Sequence, residues 1–220
     1  MKNIKAIIFD AYGTLFDVNS AAEKCKDKIG EKWERFANFW RTTQLEYTWL
    51  RSLMDRHKDF WQVTEDSLDK SMKAFDIDPS MRNELLNLYK VLSPFEEVPE
   101  TLKTLKEKKF KLAILSNGTP SLLNELVKSN NLDNLFDDIF SIEQVGVYKP
   151  SSRVYDMPIK KYNINKSEVV FLSANTWDVS GGGNYGYQSI WVNRNNNIFD
   201  NLDFKPKYQI TDLNKLIQLV

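Results

Sequence analysis

The chain has 220 residues, and its 30 basic and 30 acidic side chains cancel to zero formal charge beside one His and one Cys. That balance argues against a dedicated nucleic-acid or acidic-membrane surface, which needs clustered positive charge, and one His with one Cys cannot build a usual zinc site. At 42% hydrophobic and 27% charged residues, the composition is that of a globular chain rather than a disordered one.

Residues 6–9 form the first apolar run (Ala6, Ile7, Ile8, Phe9), which ends at Asp10. The run is continuous rather than alternating, as expected of a strand buried on both faces of a parallel sheet. Residues 17–95 hold no convincing strand. Trp33, Phe36, Ala37, Trp40, Tyr47, Leu50 and Met54 recur there near helical spacing, with Gln44 as the one polar interruption. Leu68, Met72 and Phe75, then Leu85, Leu88, Tyr89 and Leu92, mark further helices. The block reads as an all-helical insertion. Four of the six Trp lie in it (Trp33, Trp40, Trp49 and Trp61), which leads to the expectation of a small core of its own.

Beyond the insertion, helices are expected near 99–108, 119–129, 151–162 and 212–219. Strands are expected at 112–115, 169–172 and 189–192, with a weaker one at 139–142. This alternation predicts an α/β fold, a doubly wound and mostly parallel sheet with helices on both faces. Residues 1–16 and 96–220 form that core domain, and 17–95 the helical cap subdomain. Asn193 to Asn197 reads as an Asn-rich loop. The apolar runs are far too short to span a bilayer, and no charged-then-apolar leader opens the sequence. The lone Cys25 excludes an internal disulfide and argues for a reducing compartment. A cytoplasmic protein with a small-molecule partner, and neither nucleic acid nor membrane, is the expectation.

Asp10 ends the first strand, and in an open parallel sheet ligands bind at the carboxyl ends of strands. A carboxylate there, followed at once by a Gly-containing turn, is placed to act as a nucleophile; capping the next turn is the competing use of the same residue. Ser116, Asn117, Gly118 and Thr119 follow the strand at 112–115 and offer amides and a hydroxyl to an anion. The segment from Ser173 to Asp178 follows the strand at 169–172. Between them lies Lys149, with Pro150 expected to begin a helix. Each cluster has an ordinary use as turn serine, helix cap or solvated lysine. Four of them at matching ends of successive elements point together to a site.

As an ordered set, Asp10-x-Tyr12-Gly13-Thr14, Ser116-Asn117-Gly118, Lys149-Pro150 and Ser173-x-Asn175-x-Trp177-Asp178 resemble the haloacid dehalogenase superfamily. More narrowly they resemble its L-2-haloacid dehalogenases, over nearly the whole chain. Phosphatases of that superfamily carry a second Asp two residues after the nucleophile, to protonate the leaving alkoxide. Here Tyr12 stands at that position, a far weaker acid, and a departing halide needs no proton. The third motif offers Ser173 and Asn175, with Asp178 as its only carboxylate, where Mg²⁺ takes oxygen ligands that are usually carboxylates. The resemblance therefore implies a hydrolase without metal or cofactor that converts short (S)-2-haloacids to (R)-2-hydroxyacids plus halide. A Mg²⁺-dependent phosphatase of a small phosphorylated metabolite and a catalytically silent binding protein are the alternatives.

The same resemblance assigns roles. Asp10 attacks C2 and forms an ester on its own side chain, and a water oriented by Asn175 and activated by Asp178 then hydrolyses it. Thr14, Ser173 and Lys149 hold the Asp10 carboxylate. Ser116, with the backbone amides of Ala11 and Tyr12, receives the substrate carboxylate. Arg41, which otherwise reads as a surface arginine, cradles the halide with Asn117 and Trp177. Tyr155 matches a family active-site tyrosine or packs a helix, and Phe60 lines the pocket or the core. Ala174 replaces a frequent second serine, and Thr42 a longer amide. The run Gly181-Gly182-Gly183 is expected to loosen the helix after Asp178, and His57 to lie on the surface. A homodimer is expected from the resemblance alone.

Overall fold

The computed structural model describes Met1 and residues 3–220. Six strands, β1 (Ala6–Phe9), β2 (Lys111–Ser116), β3 (Asp138–Ser141), β4 (Val169–Ser173), β5 (Gln188–Val192) and β6 (Tyr208–Ile210), form one sheet in the order β3-β2-β1-β4-β5-β6. Every neighbouring pair is parallel. Ile8 lies opposite Ala113 on one side and Phe171 on the other, and no residue of β1 reaches solvent. The chain steps outward from β1 to β3, then returns to the opposite flank at β4. That reversal puts the switch-point crevice between the carboxyl ends of β1 and β4, where Asp10 follows β1 and Ser173 ends β4.

The segment between β1 and residue 90 holds α1 (Ser20–Glu23), α2 (Lys26–Ile29), α3 (Trp33–Leu53), α4 (Phe60–Ala74) and α5 (Arg82–Lys90). The sheet connections carry α6 (Val98–Glu107), α7 (Pro120–Ser129), α8 (Ser152–Tyr162) and α9 (Thr176–Tyr185). Side-chain caps set several starts: Asp59 accepts from the Gln62 amide at 2.8 Å ahead of α4, and Thr119 from Leu122 at 3.3 Å ahead of α7. On α3 the buried stripe is Phe36, Ala37, Trp40, Thr43, Gln44 and Thr48. Gln44 interrupts it because its amide donates to Thr64 Oγ1 (2.8 Å) and the Tyr89 hydroxyl (3.0 Å) in the seam with α4 and α5. A buried amide with partners is tolerated where an unpaired one costs about 1–3 kcal/mol.

The helical block does not have a core of its own. Of its four Trp only Trp40 is buried, and the buried residues of sheet and helices form one continuous cluster. The join runs through Tyr12, whose ring stacks on Tyr89 (5.7 Å, 18°) and lies against Phe60 (5.1 Å).

Several expected elements are corrected. The helix at 212–219 is a 3₁₀ stretch, Leu213–Gln218. Its buried pair, Leu213 and Leu216, is spaced by three residues, which matches three residues per turn. The weak strand lies one residue earlier than expected, and α8 begins at Ser152, leaving Pro150 in the turn ahead of it. The three-residue β6 has no apolar run to announce it. Far from loosening α9, the three glycines let it pack closely. A β-carbon on Gly181 would stand 2.7 Å from Pro150 Cβ and against the Tyr155 hydroxyl. One on Gly182 would stand 2.6 Å from Phe171 Cδ1, and one on Gly183 would meet the Phe204 ring.

Candidate active site

The Asp10 carboxylate is buried at the crevice, 5% exposed, and its two oxygens differ. Oδ2 accepts from Thr14 Oγ1 (3.0 Å), Ser173 Oγ (3.2 Å) and Asn175 Nδ2 (2.8 Å). Among the described residues, Oδ1 accepts only from Lys149 Nζ, at 3.1 Å. An ionised carboxylate offers about four lone-pair directions, so Oδ2 is crowded while Oδ1 keeps one free of any partner among the described residues. The turn that presents the group passes through Gly13 at φ +88°, a left-handed conformation costly to other residues. Thr14 Oγ1 also accepts from the Ala174 amide at 2.8 Å, which latches this turn to the end of β4.

Lys149 Nζ bridges Asp10 Oδ1 and Asp178 Oδ2, at 3.1 and 2.9 Å, from a side chain 1% exposed. Burial disfavours its ammonium, but the two carboxylates outweigh that and hold its pKa above the usual lysine value. Asp178 has no exposed surface. Burial pushes its carboxyl up to about 6, against the pull of Lys149 and with the repulsion of Asp10. A carboxylate with that proton affinity is matched to general-base work near neutrality. Tyr155, read as an active-site tyrosine or a packing residue, is fully buried, and its hydroxyl donates to Asp178 Oδ1 at 2.7 Å.

Several polar groups on the neighbouring segments have donors to spare. Among the described residues, the amides of Ala11 and Tyr12 donate to no protein group. Ser116 Oγ accepts from the Gly118 amide at 3.1 Å, and its proton has no acceptor among the described residues. Asn117 Oδ1 accepts from the Lys149 amide at 3.1 Å, leaving its Nδ2 without a partner among the described residues. Arg41 is not a surface arginine. It is half-buried on α3, donating to Gln44 Oε1 (2.8 Å) and to the Tyr12 carbonyl (3.4 Å), which also receives Asn175 Nδ2 (3.2 Å). Trp177 stands edge-on to Trp49, with ring centroids 5.4 Å apart, tying α9 to α3. Beside that pair lies a cavity of about 430 Å³ lined by Leu53, Val147, Tyr148 and Lys149 among others.

Phe60 is fully buried against Tyr12, and Thr42 is exposed. His57 is half-buried rather than on the surface, its Nε2 2.9 Å from Glu143 Oε2 and its ring against Tyr148. Two residues that hold site groups escaped the sequence reading. Gln44, which orients Arg41, was signalled by its place in an apolar stripe. Arg194, which donates to the Thr14 carbonyl at 2.9 Å, sits in the Asn-rich loop with nothing to mark it.

A divalent cation is held by several oxygen ligands, carboxylates among them. Among the described residues no three His, Cys, Asp or Glu side chains converge to hold one, and the Lys149 ammonium stands between Asp10 and Asp178. Nor does Tyr12 replace a carboxylic acid, because burial, with the neighbouring Tyr89, pushes its hydroxyl well above the ordinary phenol pKa.

A family model described as haloacid dehalogenase-like hydrolase matches residues 4–186. The chain is 40% identical over 221 residues to the (S)-2-haloacid dehalogenase of Pseudomonas sp. (strain YL), covering 100% of this chain and 95% of that protein. It is 34% identical over 222 residues to haloacetate dehalogenase H-2 of Moraxella sp. (strain B), covering 100% of this chain and 99% of that protein. Among solved structures it resembles the L-2-haloacid dehalogenase from Xanthobacter autotrophicus with chloropropionic acid covalently bound. That likeness has a TM-score of 0.91 at 31% identity, over 98% of each chain.

Proposed function

The chain belongs to the haloacid dehalogenase-like hydrolases, and from that premise we propose that it converts short (S)-2-haloacids to (R)-2-hydroxyacids plus halide through an ester on Asp10. The observation that carries this reading is the asymmetry of the Asp10 carboxylate, with three donors on Oδ2 and a free lone pair on Oδ1. A carboxylate clamped on one side and open on the other is aimed at carbon.

In the proposed reaction the Oδ1 lone pair forms a bond to C2 while the carbon–halogen bond breaks, and the halide leaves with the bonding pair. Inversion at C2 turns the (S)-acid into the (R)-ester. The uncommitted amides of Ala11 and Tyr12 and the Ser116 hydroxyl receive the substrate carboxylate, and Arg41, Asn117 and Trp177 the halide. Lys149 offsets the charge as anionic substrate meets anionic nucleophile. Water then adds to Cγ of Asp10, giving its proton to Asp178, while Thr14, Ser173 and Asn175 stabilise the charge that grows on Oδ2. The Cγ–Oδ1 bond breaks, the alkoxide recovers the proton from Asp178, and the hydroxyacid carries away the oxygen that was Oδ1.

A homodimer is part of the proposal. The end of α3 and the turn after it present Leu50, Leu53 and Met54 to solvent at 50, 81 and 58% exposure, a surface that association would cover. Light scattering that returns a monomer mass excludes it. The proposed setting is the cytoplasm. No helix of the described residues is long and apolar enough to cross a membrane. The reaction is tested by halide release from chloro-, bromo- and fluoroacetate and from both 2-chloropropionate enantiomers, with and without EDTA. Chelator-resistant release from the (S) enantiomer supports it, and release from none of these acids overturns it.

A further inference from the structure

Two connectors join the helical block to the sheet, residues 14–17 outward and 93–97 back. They lie side by side: Asp17 N donates to the Ser93 carbonyl (2.9 Å), Phe95 N to the Leu15 carbonyl (3.0 Å), and Phe16 bridges Pro94. One residue from a distant part of the chain touches both. Arg194 follows β5, in a loop closed on itself by Asn193, whose side chain accepts from the Asn197 amide (2.8 Å) and donates to its carbonyl (3.1 Å). From there its guanidinium donates to the Thr14 carbonyl (2.9 Å) on the outward connector. On the returning connector it stacks over the Phe95 ring (3.8 Å) and pairs with Glu97 Oε1 at 2.6 Å, the two side chains being 13 and 12% exposed. Glu97 is itself pinned, accepting from the Leu213 amide at 3.2 Å.

We propose that Arg194 is a positioning residue for the nucleophile, gripping the Thr14 carbonyl on one connector and Phe95 with Glu97 on the other, so that the Thr14 hydroxyl stays on Asp10 Oδ2. Arginine is suited to this because its planar fork makes directed bonds while its face stacks on an aromatic ring. Lysine offers one point charge and no plane. The Thr14 hydroxyl bonds both Asp10 Oδ2 and the Ala174 amide, so a shift of this one peptide disturbs two contacts at the reacting carboxylate.

The catalytic part of this inference rests on the proposed dehalogenation; its structural part does not. Amide hydrogen exchange on full-length Arg194→Gln and Arg194→Lys is compared with wild type, alongside kcat and KM for halide release from (S)-2-chloropropionate. Exchange in residues 11–17 and 93–97 is expected to quicken in both variants, with the remaining strands unchanged. In Arg194→Gln, kcat is expected to fall by up to about 10²-fold with KM little changed, the scale of a small misplacement at a reacting group. The same substitution made in Thr14→Ala is expected to cost nothing further, because the path to Asp10 is already cut. Unchanged exchange in the two connectors, full kcat in either variant, or additive losses with Thr14→Ala would each overturn the role of Arg194. A wild-type protein that releases no halide would sink the dehalogenation alone, and the exchange result would still decide whether Arg194 holds the connectors.

Discussion

Tyr155 donates its hydroxyl to Oδ1 of Asp178 across 2.7 Å, while Lys149 holds the other oxygen of the same carboxylate. The hydroxyl favours the charged form of Asp178 and lowers its pKa, so its removal in Tyr155→Phe moves that pKa further up. A hydrogen bond to a charged group is worth about 1.5–3 kcal/mol and one pH unit about 1.4 kcal/mol. The acid limb of halide release is therefore expected to shift up by about one pH unit, with the loss narrowing at higher pH. An unshifted limb means Tyr155 only packs.

The wild-type pH profile follows from the same group. In the proposed reaction Asp178 accepts the water proton only as a carboxylate, and its pKa is raised by burial to about 6. Turnover is expected to be flat above that pH and to fall tenfold per unit below it, wherever ester hydrolysis limits the rate. Burst kinetics check this: at acid pH the first halide is released at its normal rate while later turnovers slow.

Replacing Lys149 by Met leaves two buried carboxylates facing each other without their shared cation. Removing one partner of a buried ion pair costs about 3–5 kcal/mol. Denaturant melts of Lys149→Met near pH 8 are expected to show a loss of that size. The deficit should shrink on acidification, because Asp178 takes up a proton and the repulsion ends.

Of the three successive glycines, Gly182 faces the least yielding neighbour, the ring of Phe171 inside the sheet core. Gly182→Ala is expected to destabilise by about 1–3 kcal/mol, as overpacking does. For Gly183→Ala the three nearest atoms all belong to Phe204, half-buried in a loop. There the gain in helix propensity, up to about 1 kcal/mol, offsets most of the cost, and its melting midpoint should stay near wild type.

How far the sequence announced this molecule depended on which residues touch through short-range patterns. The continuous runs at β1, β2 and β4 carried the sheet, because strands buried on both faces have no polar alternation to hide them. The polar segments after those runs carried Asp10, Ser116 and Ser173. The purpose of the glycine run was invisible, since it depends on how near Pro150, Tyr155, Phe171 and Phe204 approach α9. Arg194 was equally hidden: its partners lie 180 and 97 residues away, and nothing local distinguishes it from a solvated arginine. The extent of the helical core was misread because Tyr12, on the sheet side, supplies the ring on which Tyr89 stacks.

The covalent step is tested most directly by one turnover of (S)-2-chloropropionate in heavy-oxygen water with enzyme in excess, followed by mass analysis of the peptide carrying Asp10 and of the product. The expected result is label in the Asp10 carboxylate and an unlabelled (R)-hydroxyacid. Label in the hydroxyacid, with none in the peptide, would mean that water attacks C2 itself and would contradict the account.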